Sequence, residues 1–289
     1  MRMSKIAYIA IVLVIALVVV IGLAKMRNGT GDRNEVQAAN TVDTTVAEES
    51  QAKPEPPPKA SPEDAAISTA AKQNRYVFVT FYRKNDGASK KMQTAMKTAQ
   101  GKLSHRASFV SVDVDDAVQQ EVVSRYGADR SPIPLTLVIA PNGAITAGFP
   151  NEIKKADFSD AFVSNGMASV LKVLQGQKLA AVCVQGSRTK NNKKSLATAE
   201  ELKAAPELGG AVEIVKIDPS DRSESKFMNE CKVDVHSADA QLLVLAPPGK
   251  LVGKFDGTAT KDTIMTSLKS SLGGGGCGGG SCAPSGCGP

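Results

Sequence analysis

The sequence predicts an α/β protein with two tandem domains, each a central mixed sheet flanked by helices, following an N-terminal apolar helix. Three observations predict this. The order strand, helix, strand, helix, strand, strand, helix can be read twice along the chain. The segment LTLVIAPNGAITAGF at 135–149 recurs as QLLVLAPPGKLVGKF at 241–255, an offset of 106, and DGASKKM at 86–92 aligns with TKNNKKS at 189–195, an offset of 103. A period that long suits a duplicated domain rather than a solenoid. Finally, Ile6 to Ala24 is a run of 19 uncharged residues rich in Ile, Val and Leu.

At 1.5 Å per residue that run spans about 28 Å, the hydrocarbon thickness of a bilayer, so residues 1–27 are expected to form a transmembrane anchor with its flanks. Arg2 and Lys5 before the run and Gly22-Leu23-Ala24 at its end also fit a cleaved signal peptide. The length favours an uncleaved signal anchor, because signal-peptide cores stop at about 7–15 apolar residues. Lys25 and Arg27 partly offset the basic residues ahead of the run, and the small remaining bias puts the N-terminus inside. The expected location is the bacterial inner membrane, with the soluble part in the periplasm. Residues 28–60, rich in Thr, Ala, Glu, Gln and Pro and closing with KPEPPPKA, lack apolar periodicity and read as an extended linker.

The first domain is expected over 61–165. Ser61-Pro62-Glu63-Asp64 is a helix start, with Ser as cap, Pro at the first helical position and acids in the first turn. The helix runs to about Gln73. Strands follow at Tyr76–Tyr82 and Ser108–Val114, separated by a helix over Ser89–Leu103. A helix at Ala117–Tyr126 leads to a strand at Leu135–Ala140, a turn at Pro141-Asn142-Gly143, a strand at Ala144–Phe149 and a helix at Lys154–Ser164.

The second domain is expected over 166–272. Its helices fall at Met167–Gln175, Ser195–Ala204, Ser223–Glu230 and Lys261–Leu272. Its strands fall at Leu179–Gln185, Val212–Ile217, Gln241–Ala246 and from the turn Pro247-Pro248-Gly249 to Phe255.

Composition excludes some functions. The chain is 42% hydrophobic and 22% charged, as a globular protein is, and five Cys in 289 residues are too few for a disulfide-stapled scaffold. A net charge of +6 raises the question of nucleic acid. The cations are dispersed and aromatics are only 4%, so neither a basic stripe nor a stacking platform forms, and no nucleic-acid partner is expected.

The first repeat resembles thioredoxin-like domains. There, a strand runs into a Cys-x-x-Cys turn at a helix start, and an Ile-cis-Pro pair precedes the hairpin. VFVTFYRKNDGASKKM fits the first element and Ser131-Pro132-Ile133-Pro134 the second. The resemblance covers about 61–164 well and 166–272 more loosely. It implies that Asp86, Gly87, Ala88 and Ser89 stand at the dithiol positions as a degenerate active site, and that Pro134 is the cis-proline. Thiol exchange needs a thiolate stabilised at that helix start. Neither aligned position is Cys; Asp86 suits an N-cap, and Ser89 lacks an adjacent base. In the second repeat Thr189 to Asn192 also lacks Cys, and Ala240 replaces the proline.

The resemblance further implies a peptide edge that needs no thiol. Ile133 and Pro134, with the 83–89 loop, would pair with an extended segment of an envelope protein. The plainer role for Pro134 is to shape a turn. The expectation for the domains is a non-catalytic binding or scaffolding module that needs no cofactor.

Cys183, mid-strand, reads as a buried inert thiol, and Cys231, after a helix, as an exposed one. The tail over 273–289 is more than half Gly and holds Cys277, Cys282 and Cys287 at C-x4-C-x4-C. Its thiols could bind Cu(I) or Zn(II), form disulfides, serve as a mobile arm that makes the protein a thiol-disulfide oxidoreductase or redox chaperone, or have no partner. His105 and His236 stand alone and read as surface or turn residues rather than ligands or bases.

Overall fold

The structure, a computed structural model, describes residues 62–272. The expected anchor, the linker and the Cys tail lie outside the described residues. Among the described residues no helix is long and apolar enough to cross a membrane. These residues form two compact units and two four-stranded sheets.

In the first unit, helix α1 (Pro62–Lys72) carries Glu63 and Asp64 in its first turn and Lys72 in its last, as the helix dipole favours. Strand β1 (Tyr76–Tyr82) falls where the β-branched and aromatic run predicts, and its five inner residues are all buried. Such a continuous apolar run marks a central strand covered on both faces. Helix α2 (Gly87–Leu103) buries Ser89, Met92, Met96 and Ala99, one stripe at helical spacing. Strand β2 (Ala107–Asp113) follows.

The helix expected over Ala117–Tyr126 is split. Residues Ala117–Gln119 form a 3₁₀ turn, because the Asp116 carboxylate accepts the Val118 N–H and tightens the start. Helix α3 is confined to Gln120–Arg125. Strands β3 (Leu135–Ile139) and β4 (Ile145–Pro150) follow. Between them Gly143 takes φ +80° and the Asn142 side chain accepts the Ala144 N–H, as a tight turn requires. The sheet order is β2-β1-β3-β4. β1 pairs parallel with β2, Tyr82 beside Asp113, and antiparallel with β3, Phe81 beside Leu135.

The helix expected over Lys154–Ser164 is shorter. Helix α4 covers Lys155–Asp160, and a new helix, α5 (Asn165–Gln175), begins under Ser164, whose hydroxyl accepts the Met167 N–H. Buried Glu224 explains the break. Its carboxylate accepts from the Ser164 hydroxyl (2.6 Å) and from the Gly166 N–H (2.8 Å), and a Cβ at Gly166 would lie 2.7 Å from it.

The second unit continues with β5 (Leu179–Val184), α6 (Asn192–Lys203), β6 (Val212–Ile217), α7 (Ser225–Glu230), β7 (Gln241–Ala246), β8 (Lys250–Asp256) and α8 (Lys261–Leu272). The helix expected at Ser223–Glu230 again starts as a 3₁₀ turn, Arg222–Glu224, because Asp221 accepts the Ser223 N–H. The sheet order is β6-β5-β7-β8, with β5 parallel to β6 and antiparallel to β7. Strand alternation sends Ala180, Val182 and Val184 to one face, with Leu174, Ile217, Phe227 and Leu243. It sends Ala181 and Cys183 to the other, with Leu202, Leu242, Ile264 and Leu268.

The edge strand β8 is irregular. A bulge interrupts its pairing with β7 at Val244/Leu245, and Lys250 and Lys254 donate to the carbonyls of Ser271 and Lys232, each at 2.6 Å.

Candidate functional site

β1 and β2 end together at Tyr82 and Asp113, and β3 begins across from Phe81. The loop after β1, the turn after β2 and the Ile133-Pro134 pair therefore leave the first sheet at one end. At this end Asp86 caps α2, its carboxylate accepting the Ser89 N–H at 2.7 Å. Ser89 is fully buried, and its hydroxyl accepts the Arg83 N–H at 3.1 Å. The Ser89 hydroxyl and N–H hold the Asp86 carboxyl below the usual carboxylate range. Asp86 and Ser89 are thus both engaged in closing the turn. Beneath them β1 and β3 share a neutral side-chain bond, Thr80 to Thr136 at 3.0 Å. The expected cap at Asp86 is present.

Beside this turn lies a cleft of about 780 Å³ with Arg83, Lys84, Asn85 and Asp86 on one side and Asp113, Asp115, Asp116 and Ala117 on the other. Lys84, 71% exposed, meets buried Asp113 at 3.0 Å. The Lys84 ammonium, as hydrogen-bond donor and as charge, keeps the Asp113 carboxyl low, and Asp113 in turn raises Lys84. Arg83 approaches Asp115 more loosely, at 3.4 Å. Sequence reasoning missed these aspartates; the signal was the acid cluster in VDVDDAV immediately after a strand.

The Ile133–Pro134 peptide is cis, as the resemblance implies. Pro134 is buried and its carbonyl accepts the Asn151 N–H at 2.7 Å. Ile133 is half-buried, and its own N–H and C=O have no hydrogen-bond partner among the described residues.

The corresponding residue of the second unit, Asp239, is fully committed. Its N–H donates to the Ser237 hydroxyl oxygen (3.2 Å), and the same hydroxyl donates to the Asp239 carbonyl (2.8 Å). On either side the Lys190 N–H reaches the Ala238 carbonyl (2.8 Å) and the Ala240 N–H reaches the Lys190 carbonyl (2.9 Å). The Asn191 amide adds a bond to the Asp239 carboxylate (2.8 Å). The aligned turn closes on itself too, Thr189 bonding Asn192 at 2.6 Å and Asn192 donating to the Gly186 carbonyl at 2.8 Å. A smaller cavity of about 400 Å³, lined in part by Arg188, Asp218, Val235 and His236, adjoins it.

Cys183 is buried as expected, and burial pushes its thiol up. Cys231, expected to be exposed, is instead half-buried against the second core, and burial pushes its thiol up to about 11. The correction follows from Phe227 and Val233, buried on either side of it in sequence. Neither thiol is poised as a thiolate at neutral pH. His105 and His236 are exposed, and among the described residues no group of three or more His, Cys, Asp or Glu side chains is placed to hold a metal. Cys277, Cys282 and Cys287 lie outside the described residues.

No family model and no curated protein matches the chain. Solved structures similar to it include the germline-specific thioredoxin Deadhead of Drosophila melanogaster, 22% identical, covering 37% of this chain and 92% of that one with a TM-score of 0.28. Human ERp44 is 12% identical over 71% of this chain and 55% of its own, TM-score 0.31. The first two thioredoxin domains of Saccharomyces cerevisiae Eps1p are 11% identical over 75% and 99%, TM-score 0.25. In both units of this chain a central strand pairs parallel with the next strand and antiparallel with the one after it, in the order β2-β1-β3-β4 and β6-β5-β7-β8. With that order and those directions, the fold is thioredoxin-like.

Proposed function

We propose that the first unit is a non-catalytic docking module that takes an extended segment of another protein along Ile133 and Pro134, with the Arg83–Ser89 loop as the second wall. The observation that carries this reading is the backbone of Ile133. Its N–H and C=O are unpaired among the described residues, whereas those of Asp239 in the second unit are both closed by Ser237. An extended segment supplies the complementary N–H and C=O, which is strand addition at the scale of one residue. Thiol exchange in the domains is disfavoured by chemistry, since Asp86 and Ser89 carry no sulfur and the thiols of Cys183 and Cys231 are both raised. The setting proposed is the bacterial envelope, with residues 6–24 as the membrane anchor and the 28–60 linker holding the module away from the bilayer.

A photo-crosslinking residue placed at 133, and separately at 239, tests the reading in cells. Adducts at 133 and none at 239 are expected. An absence of adducts at 133 would overturn it. Insulin-disulfide reduction by the chain with and without residues 273–289 tests the catalytic alternative. No turnover is expected from either, and tail-dependent turnover would assign the chemistry to Cys277, Cys282 and Cys287.

A further inference from the structure

We infer that Gln119 is a positioning residue that couples the docking of α1 to the geometry of the cleft at Lys84. The inference deepens the docking role proposed above and rests on it for its functional meaning. Gln119 sits in the 3₁₀ turn between β2 and α3 and makes two bonds of opposite sense. Its Oε1 accepts the Asp113 N–H at 2.5 Å, and its Nε2 donates to Glu63 Oε1 at 2.7 Å. A backbone N–H at one end and a carboxylate at the other admit only this orientation of the amide. Asp113 is the buried member of the Lys84 pair: its Oδ1 accepts the Asp115 N–H at 3.2 Å, and its Oδ2 faces Lys84 at 3.0 Å. The line runs from α1 through Glu63, Gln119 and Asp113 to Lys84 at the cleft.

The α1 end of that line is firmly held. The helix packs on β2 and β1, and Arg125 of α3 pairs with Asp64 next to Glu63. Glu63 Oε2 is buried without a partner, so among the described residues the Gln119 amide is the donor that satisfies this carboxylate. Removing that donor leaves a half-buried carboxylate unsatisfied, which is costlier than losing an exposed bond. α1 immediately follows the Pro-rich linker in sequence, so the Gln119 side chain links α1 docking at the linker end to the cleft.

The test needs no docking partner, so its failure and the failure of the docking role are told apart. In the full chain, acetic anhydride labelling of Lys84 is measured by mass spectrometry, with exposed Lys90 as internal reference. Release of Asp113 frees the Lys84 amine, and Gln119→Ala and Glu63→Ala are each expected to raise its labelling about threefold. Gln119→Glu keeps the acceptor for Asp113 but loses the donor to Glu63, and is expected to do the same. Glu63→Gln keeps the acceptor for the Gln119 amide and is expected to label as wild type, and Lys90 is expected to stay constant throughout. Unchanged Lys84 labelling in folded Gln119→Glu, or equal effects of Glu63→Gln and Glu63→Ala, would overturn the inference. Crosslinking from position 133 in the same variants is expected to fall with rising Lys84 labelling; if labelling responds and crosslinking does not, the relay stands and its link to docking is lost.

Discussion

The segments entering β3 and β7 occupy equivalent places in two copies of one fold, yet they treat their backbones in opposite ways. Before β3, Ile133 keeps both of its main-chain groups unpaired among the described residues. Before β7, the Ser237 hydroxyl takes both groups of Asp239 while Lys190 bonds on either side of it. The two sheets share one strand order and differ at this edge. An open edge and a closed edge differ here by one hydroxyl and one loop residue, far less than would be needed to build or remove a pocket. The same contrast runs beneath the edge, where Thr80 meets Thr136 in the first unit while Cys183 stands opposite Leu242 in the second.

The comparison can be broken most severely through the cores. Phe81 is fully buried, lies across from Leu135 and tilts against Tyr126 with ring centroids 6.1 Å apart. Phe81→Ala is expected to destabilise the first unit by about 3–5 kcal/mol in urea unfolding and to abolish crosslinking at 133. Its counterpart, Val184→Ala, is expected to cost about 2 kcal/mol, because less apolar area is lost. Equal costs would mean that the two sheet ends are not supported in the same way.

A sharper cut is Ser237→Ala. It removes the hydroxyl that serves both Asp239 groups and is expected to cost about 1 kcal/mol by urea unfolding. It also turns the closed edge toward the open state, so adducts should appear from a photo-crosslinker at 239. Stability loss without any new adduct would show that Lys190 alone suffices to close the edge.

The smallest expected effect concerns charge. Glu213 on β6 receives Lys178 at 2.7 Å and Lys203 at 2.8 Å, and these two ammonium groups hold its carboxyl at about 2. A depressed carboxyl stabilises the fold at pH values above its unfolded value near 4.5, and that contribution fades as pH falls toward 2. The Glu213 side chain is 35% exposed, so solvent screening leaves a contribution of a few tenths of a kcal/mol. Glu213→Gln should therefore lower Tm slightly at pH 7 and not at pH 2. Ser108 stands at the equivalent place on β2, so the acid-sensitive contributions of the first unit come instead from Asp113 and Asp86, whose carboxyls are also held low.

Much of this arrangement was legible along the chain because its causes are local. β1, β6, β7 and α8 begin and end where their apolar patterns do, and Asp86 caps its helix as its position suggests. What was not legible depends on residues far apart in sequence. The break before α5 rests on Glu224, which lies 58 positions beyond Gly166 and makes any side chain there clash. The burial of Cys231 depends on a sheet face assembled from β5, β6 and β7. The link from Gln119 to Glu63 spans 56 positions, and nothing near either residue announces it. At the candidate site, the positions of Ile133, Pro134, Asp86 and Ser89 could be read from the sequence. The pairing of Lys84 with Asp113 and the bonds of Lys190 on either side of Asp239 could not, because each needs two loops brought to one end of a sheet.

The irregular β8 has its own consequence. A sheet edge presents a row of free N–H and C=O groups and is a template for aggregation when it is flat and apolar. Here the bulge bends the ladder, a Cβ at Gly253 would lie 2.5 Å from the Phe255 ring, and Lys250 begins the strand with Lys254 four positions further along it. Any neighbouring strand would have to follow a kinked backbone and pass two positive charges. The second unit therefore guards this rim against runaway stacking, and Ser237 closes the backbone of Asp239.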